Sequence, residues 1–253
     1  MERLARLILL LLSGWLVQSC AVPPPPDQVA PGKATRQIIV ERVSAVVVTE
    51  RKSLENWINR KFSTSHAPGD ADGGSAAPIS ADGYFLTADH VLARMAGRSV
   101  FIIYGQGGPL KPALARVVWR SKPSDLALLH ISVKTPYYYE WTTPEKWLPA
   151  GTGVMHGGIA TGFKSGDGKL GTSLSPETPL TRSRSFKIDI PLQPGDSGGP
   201  VVDAYGRLVG INSAVEFLVP METPFFIDSE GNRPNTRQIE SLIQQDRARN
   251  SGR

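Results

Sequence analysis

One serine in the segment 192–214, LQPGDSGGPVVDAYGRLVGINSA, lies among glycines in a way that suits a nucleophile. Ser197 has Gly195, Gly198 and Gly199 within two residues. Glycine is favoured where the backbone takes a positive φ or brings its N–H groups close to a ligand. A structural turn needs one or two glycines. This density therefore predicts a loop that holds the Ser197 hydroxyl beside converging backbone donors, an arrangement that stabilises an oxyanion.

A serine nucleophile needs a general base within hydrogen-bond reach. The histidines of the chain are His66, His90, His130 and His156. His90 ends the predicted strand Tyr84–Thr87 in GYFLTADHV, and a rigid strand end suits a positioned base. No two histidines have the spacing of metal ligands. The sequence therefore predicts His90 as the base and predicts neither a metal nor another cofactor.

An acid that orients the base is found in SDLALLHI, where Asp125 precedes an apolar strand. A carboxylate there can be buried and still accept a hydrogen bond from an imidazole, which fixes the tautomer and stabilises the imidazolium. Taken singly, a histidine at a strand end more often has a structural role, and an aspartate before a strand is usually a turn residue. The order His90, Asp125, Ser197 along one β-rich chain favours a catalytic triad.

These three residues are far apart in sequence, so the fold must bring them together. Segments rich in β-branched and aromatic residues begin at Gln37 and are bounded by turn-forming residues. They are QIIVERVSAVVVT, GYFLTADHV, SVFIIYG, LARVVWR, DLALLHI, FKIDI, GPVVD and RLVGINSA. Near the C terminus Ile239, Leu242 and Ile243 share one helical face after a capping pattern at Asn235. We therefore expect an all-β protein with one C-terminal helix.

Charge and cysteine content limit the partners and the covalent structure. The formal charge is +5 over 253 residues without a dense Lys/Arg tract, which argues against nucleic-acid binding. The length suits one large domain or two closely packed small ones. The chain has one cysteine, Cys20, so an intramolecular disulfide is impossible.

The N-terminal segment predicts export. Residues 1–19 contain two arginines followed by an apolar run, which is typical of a signal peptide and short for a membrane span. LVQSC resembles a bacterial lipoprotein box with Cys20 as the lipidated residue; the alternative is an ordinary signal peptide in which Cys20 is incidental. Residues 20–36 contain PPPP and favour a semi-rigid polyproline spacer. These features predict a periplasm-facing protein anchored to a membrane, with the outer membrane favoured because no aspartate follows Cys20 directly.

Three motifs, LTADHV, SDLALL and GDSGGP, resemble the signature motifs of chymotrypsin-like serine proteases. DGYFLTADHV, SDLALLHI and RLVGINSA are similar to the bacterial HtrA-type branch. The resemblance covers roughly residues 37–245. It implies two six-stranded antiparallel β-barrels, with the site between them and the C-terminal helix on the second barrel. The implied ranges are about 37–135, about 150–230 and, for the helix, about 236–246.

The same resemblance implies that His90, Asp125 and Ser197 form the catalytic triad of a serine endopeptidase. The backbone N–H groups of Gly195 and Ser197 would form its oxyanion hole. Peptides or proteins of the bacterial cell envelope are the expected substrates, with protein quality control as a role. The alternative is a catalytically silent binding or adaptor protein that keeps the fold. About twenty residues follow the core strands, fewer than the PDZ domain of usual HtrA proteins needs.

The specificity pocket also follows from the resemblance. The expected lining residues are Ile190, Pro191, Asn212, Ser213 and Ala214. None of them carries a carboxylate, so we expect a small or medium aliphatic side chain before the cut bond. Asp189 is the nearest acid and shares a strand face with Pro191, so it is the residue that could favour Lys or Arg instead.

Asp196 departs from the HtrA pattern, which usually has Asn at this place. In chymotrypsin-type zymogens the matching aspartate pairs with a newly cut N terminus. We therefore expect Asp196 to need another cation, or a cut near Arg36 or Arg42.

Overall fold

The computed structural model describes residues 23–53, 70–142, 147–160, 165–177, 179–180, 182–218 and 225–250, and Cys20 and the predicted signal peptide lie outside them. Two antiparallel sheets contain all the named strands. The first has β1 (Ser44–Thr49), β2 (Asp72–Ser75), β3 (Ala77–Pro78), β4 (Tyr84–Thr87), β5 (Ser99–Tyr104), β6 (Lys111–Ser121) and β7 (Leu126–His130). The second has β8 (Gly153–Gly157), β9 (Ser165–Lys169), β10 (Ser183–Ile188), β11 (Pro200–Val202), β12 (Leu208–Leu218) and β13 (Phe225–Pro234).

The first sheet closes on itself. Its strand order is β2-β1-β5-β6-β7-β4-β3, and only Ala76 separates the edge strands β2 and β3. The two edges of this seven-stranded sheet therefore belong to one chain segment, which gives the six-segment barrel that the resemblance implied. Alternate residues of the strands point inward, where Val46, Phe85, Ile102 and Leu129 are fully buried in one cluster.

The second sheet has six strands in the order β10-β13-β12-β11-β8-β9. Leu170, which directly follows β9, forms an antiparallel bridge with Ile188, the last residue of β10. Its interior is filled by Val154, Phe186 and Val201. The all-β class with two barrels is therefore confirmed.

The N-terminal part of the domain differs from the prediction. The segment from Gln37 was expected to begin a strand, but residues Lys33–Glu41 form a helix, α1, and the strand begins at Ser44. Thr35 and Ile39, four residues apart, form the buried face of this helix. Helical periodicity and packing against β8 and β9 thus override the β-propensity of the sequence.

The segment predicted as a proline-rich spacer contacts the second barrel. Tyr205 Oη donates a hydrogen bond to the carbonyl of Pro24, and Thr35 Oγ1 donates to Ala204 O at 2.6 Å. Helix α1 also crosses the predicted boundary between residues 36 and 37. Within the part of the chain that the structure describes, no helix is long and apolar enough to span a membrane.

The C-terminal helix α2 spans Thr236–Asn250 and is longer than predicted. Asn235 caps it, since Asn235 Oδ1 accepts the Gln238 N–H at 3.0 Å. The helix was expected on the second barrel, but it also contacts the first. Asp246, near its end, accepts hydrogen bonds from Tyr84 Oη at 2.9 Å and from the Arg116 guanidinium at 2.6 and 2.7 Å. Ile239 and Ile243 of the helix also share a buried cluster with Val202 and Leu208 of the second barrel, so the helix contacts both barrels.

Candidate active site

His90 and Asp125 form a hydrogen-bonded pair. His90 lies in the 3-10 turn Asp89–Leu92 just after β4, not at the strand end itself, and Asp125 lies directly before β7. The distance from His90 Nδ1 is 2.8 Å to Asp125 Oδ2 and 3.0 Å to Oδ1. Because an ionised carboxylate only accepts hydrogen bonds, Nδ1 carries the proton and Nε2 is left free to take another.

The Asp125 carboxylate is oriented from both barrels. It accepts the backbone N–H of His90 at 2.9 Å and the hydroxyl of Ser213 from β12. Burial acts to raise the pKa of Asp125, but the hydrogen bonds from His90 and Ser213 outweigh it and leave that pKa below its usual value. Asp125 also has a positive φ of 46°, a conformation uncommon outside glycine. The pair is therefore built from an ionised acid in a fixed position.

The environment of His90 favours its protonated form. The hydrogen bond to Asp125 raises the pKa of His90 above its usual value, and partial burial opposes this effect. The imidazole remains 50% exposed, so a substrate can reach its free nitrogen. A histidine of this kind suits proton transfer near neutral pH.

Ser197 lies in the turn before β11 and lines one cleft together with His90. The other lining residues are Asp72, Gly73, Val91, Ala93, Arg94, Pro194 and Gly195. The hydrogen bond of the Ser197 hydroxyl goes to Ser213 O at 3.4 Å, and none between Ser197 and His90 occurs among the described residues. Catalytic hydrogen bonds often form only when substrate is bound. The structure thus places His90 and Ser197 on one cleft, with Asp125 hydrogen-bonded to His90.

The backbone of the loop that carries Ser197 has an unusual conformation. Gly195 has φ +107° and Gly198 has φ +86°, values that favour glycine. A Cβ atom at Gly198 would lie 2.2 Å from Ser75 O, so the loop approaches the first barrel too closely for any side chain there. Among the described residues the N–H groups of Gly195 and Ser197 have no intramolecular acceptor. That these two groups form an oxyanion hole stays a prediction.

A second histidine–aspartate pair lies beneath this loop. Asp196 is fully buried and His156 is 1% exposed. Asp196 Oδ2 accepts the Gln193 N–H at 3.0 Å, while Oδ1 has no hydrogen-bond partner among the described residues. Asn212 Nδ2 lies 3.4 Å from His156 Nδ1 and 3.5 Å from Asp196 O. Burial lowers the pKa of His156, and the charge of Asp196 acts in the opposite direction.

The predicted specificity residues have varied surroundings. Ile190 is buried in the core of the second barrel, whereas Pro191 and Asp189 are exposed. The Asp189 carboxylate accepts the backbone N–H of Lys169 in β9. The side chain of Ala214 lies outside the described residues.

Asn212 and Ser213 were expected as pocket walls, and the structure gives their side chains other contacts. The Asn212 side chain faces the buried His156–Asp196 region, and the Ser213 hydroxyl contacts Asp125. A register shift in the β12–β13 pairing between Asn212 and Ala214 makes Ser213 a bulge residue. Bulges re-aim side chains, which accounts for the contact of the Ser213 hydroxyl with Asp125. Sequence reasoning identified neither Ser213 as a partner of Asp125 nor His156 as a neighbour of Asp196.

The family model and two relatives that match this chain are all described as peptidases. Residues 74–211, more than half of the chain, match the family model of the trypsin-like peptidase domain. A protein of Bartonella henselae described as a probable periplasmic serine endoprotease DegP-like is 28% identical over 166 residues, which are 62% of this chain and 31% of that protein. A protein of Pseudomonas fluorescens with the same description is 30% identical over 172 residues, which are 62% of this chain and 34% of that protein. The chain thus spans about a third of the length of these relatives.

Solved structures share the fold. The HtrA-type protease AlgW with a tripeptide superposes with a TM-score of 0.59 and 21% identity, covering 85% of this chain and 62% of that chain. Deg5 superposes with a TM-score of 0.56 and 20% identity, covering 71% of this chain and 82% of that chain.

Proposed function

Since the chain belongs to the family of trypsin-like peptidase domains, we propose that it is a serine endopeptidase with His90, Asp125 and Ser197 as its catalytic triad. One observation carries the proposal: the His90–Asp125 pair, joined at 2.8 Å, shares a cleft with Ser197. The backbone N–H groups of Gly195 and Ser197 have no acceptor among the described residues and lie in the loop that carries the Ser197 hydroxyl. A nucleophile, a base, an orienting acid and oxyanion donors are the groups that acyl transfer requires.

The reaction proceeds in two halves, each with one proton transfer to His90 and one from it. Ser197 Oγ attacks the peptide carbonyl carbon while its proton moves to His90 Nε2, and the carbonyl oxygen becomes an oxyanion held by the N–H groups of Gly195 and Ser197. His90 then donates that proton to the leaving amine, which breaks the C–N bond and leaves an acyl-enzyme. Water attacks the ester in the same way, with His90 as base, and restores the Ser197 hydroxyl.

Covalent labelling tests the proposal. A fluorophosphonate should react with the Ser197 hydroxyl, forming an O–P bond and releasing fluoride, with the proton taken up through His90. Mass spectrometry of a digest should place the adduct on Ser197. Ser213, whose hydroxyl is engaged by Asp125, serves as the internal control and should remain unmodified. Failure of the folded protein to react would favour the alternative of a silent binding protein.

The substrates we propose are unfolded chains cut after small or medium aliphatic residues. Among the predicted pocket residues, neither Ile190 nor Pro191 carries a charge that would select Lys or Arg, and the exposed Asp189 is already bonded to Lys169 N–H. Apolar pockets discriminate weakly, by about 1–3 kcal/mol per methylene, which suits broad cleavage in protein quality control. A peptide library should show Val, Ala, Leu and Ile before the cut bond. A dominant preference for Arg or Lys would implicate Asp189 instead.

We further propose a periplasmic location with a lipid on Cys20, which lies outside the described residues. The LVQSC motif supports the anchor, and the periplasmic descriptions of the relatives support the compartment. Cys20→Ser should block processing or release a soluble form, as seen by fractionation of membranes. An unmodified mature N terminus on the soluble wild-type protein would contradict the anchor.

A further inference from the structure

Ser75 connects the first barrel to the loop that carries Ser197. It is the last residue of β2 and is 1% exposed. Its backbone N–H donates to Ser197 O at 2.8 Å, and its hydroxyl donates to Gly195 O at 2.7 Å. One residue therefore holds two carbonyl groups of the candidate oxyanion loop.

The same residue is itself held from two directions. The Ser75 hydroxyl accepts the N–H of Ile159, which follows β8 in the second barrel, at 2.9 Å. Its carbonyl accepts the Thr87 hydroxyl at 2.8 Å, and Thr87 ends the strand that leads to His90. Ser75 thus lies between the segment carrying the proposed base and the segment carrying the proposed nucleophile.

The bond from Ser75 to Gly195 fixes a peptide unit next to the oxyanion donors. Peptide units are planar, so holding the carbonyl oxygen also sets the direction of the following N–H. In the unit after Gly195, the carbonyl is held by Ser75 and the Asp196 N–H donates to Gln193 O at 2.9 Å. With both ends held, the ψ angle of the otherwise permissive Gly195 is restricted.

We propose that the Ser75 hydroxyl is a positioning group for peptide hydrolysis, because it keeps the Gly195 and Ser197 N–H groups aimed at one point. This inference rests on the proposed peptidase function. Donors fixed before the reaction stabilise the oxyanion most, since they need no reorganisation in the transition state. Loss of the hydroxyl should therefore affect the transition state more than the binding of the peptide.

Ser75→Ala tests this role by removing the hydroxyl while keeping the backbone contacts. We expect kcat to fall about 10- to 100-fold, less than or comparable to the loss of a whole oxyanion donor, with KM within about threefold. A peptide aldehyde, whose hemiacetal oxygen occupies the oxyanion position, should lose affinity in parallel with kcat. The matching peptide amide, which binds without a covalent bond, should not.

Ser44→Ala is the matched control, since this buried β1 hydroxyl donates to Arg42 O at 3.1 Å. It should leave kcat and the aldehyde affinity unchanged. If Ser75→Ala does not fold, Ser75→Cys gives the same comparison, because a thiol is a much weaker donor. A kcat within twofold of wild type, or a lower kcat with unchanged aldehyde affinity, would overturn the inference. A wild-type protein that neither cleaves peptides nor reacts with fluorophosphonate would instead overturn the proposed function on which it rests.

Discussion

Two histidine–aspartate pairs among the described residues, His90–Asp125 and His156–Asp196, have opposite surroundings. His90 and Asp125 have side chains 50% and 23% exposed and share a direct hydrogen bond of 2.8 Å. His156 and Asp196 are at most 1% exposed, and Asn212 lies between them. In the first pair the hydrogen bond to aspartate raises the pKa of histidine, whereas in the second burial lowers it.

The contrast shows that residue types alone do not decide what a pair does. A direct hydrogen bond to a carboxylate stabilises the imidazolium, and removal from water destabilises it. In the proposed mechanism the open pair exchanges a proton with a substrate in the cleft. The buried pair does not line the cleft; Asp196 accepts the Gln193 N–H of the loop and His156 lies beside Asn212, so we expect it to act on loop geometry and stability.

The largest expected difference between the pairs comes from replacing each histidine. His90→Gln should lower kcat about 10⁵-fold, since triad members act as a unit and loss of one removes most of the catalysis. His156→Gln should lower kcat by less than about tenfold, because the buried imidazole neighbours Asn212 and is not among the residues that line the cleft. Initial rates on one peptide substrate, with circular dichroism to confirm folding, compare the two. Equal losses in folded variants would contradict separate roles.

Replacing each aspartate by asparagine is a second test of the contrast between the two pairs, with a smaller expected difference in kcat. Asp125→Asn should lower kcat about 10⁴-fold, because an amide favours the wrong imidazole tautomer. Asp196→Asn should keep kcat within about tenfold and should not lower the unfolding temperature, because it removes a buried charge whose Oδ1 has no partner among the described residues. Marked loss of stability in Asp196→Asn would show that this carboxylate has a counter-ion.

The open pair was predictable from the sequence and the buried pair was not. His90, Asp125 and Ser197 stand in short motifs whose turn residues and apolar strands are local signals. The neighbourhood of His156 and Asp196 depends on β8, β12 and the loop before β11 meeting in space. Ser75 and Gly195 are likewise 120 residues apart in the chain. Contacts of this kind come from register and barrel closure, which no local pattern encodes.

The differences between the sequence predictions and the structure also have local causes. The β-branched run after Gln37 suggested a strand, but its burial follows helical spacing in Lys33–Glu41. The resemblance placed Ser213 in the pocket wall, whereas its hydroxyl contacts Asp125 at a shift in the β12–β13 pairing. The all-β class was predictable because alternation and turn residues recur along the whole chain, whereas single side-chain directions depend on such interruptions.

The pH dependence of activity should follow the open pair alone. With neutral His90 as the proposed base, kcat/KM should fall as pH drops through the His90 pKa. Because the hydrogen bond to Asp125 raises that pKa, the midpoint should lie above about 6.5, the usual histidine value. His156→Gln should leave the midpoint unchanged. A midpoint that moves in His156→Gln would show that the two pairs are electrostatically coupled.

The smallest effect is expected in the pH dependence of stability, where the two histidines act with opposite signs. The pKa of His156 is lowered in the folded protein, so below about 6.5 the unfolded chain binds more protons and stability falls as pH falls. The pKa of His90 is raised, so its contribution is present below about 6.5 and is lost as pH rises through the folded value. His156→Gln should therefore lose less stability than wild type on going from pH 7 to 5, and His90→Gln should lose more. Each proton by which the unfolded and folded states differ changes the slope of the unfolding free energy against pH by at most about 1.4 kcal/mol per pH unit. Urea unfolding across this range measures both slopes, and shifts of the same sign in the two variants would refute the contrast between the pairs.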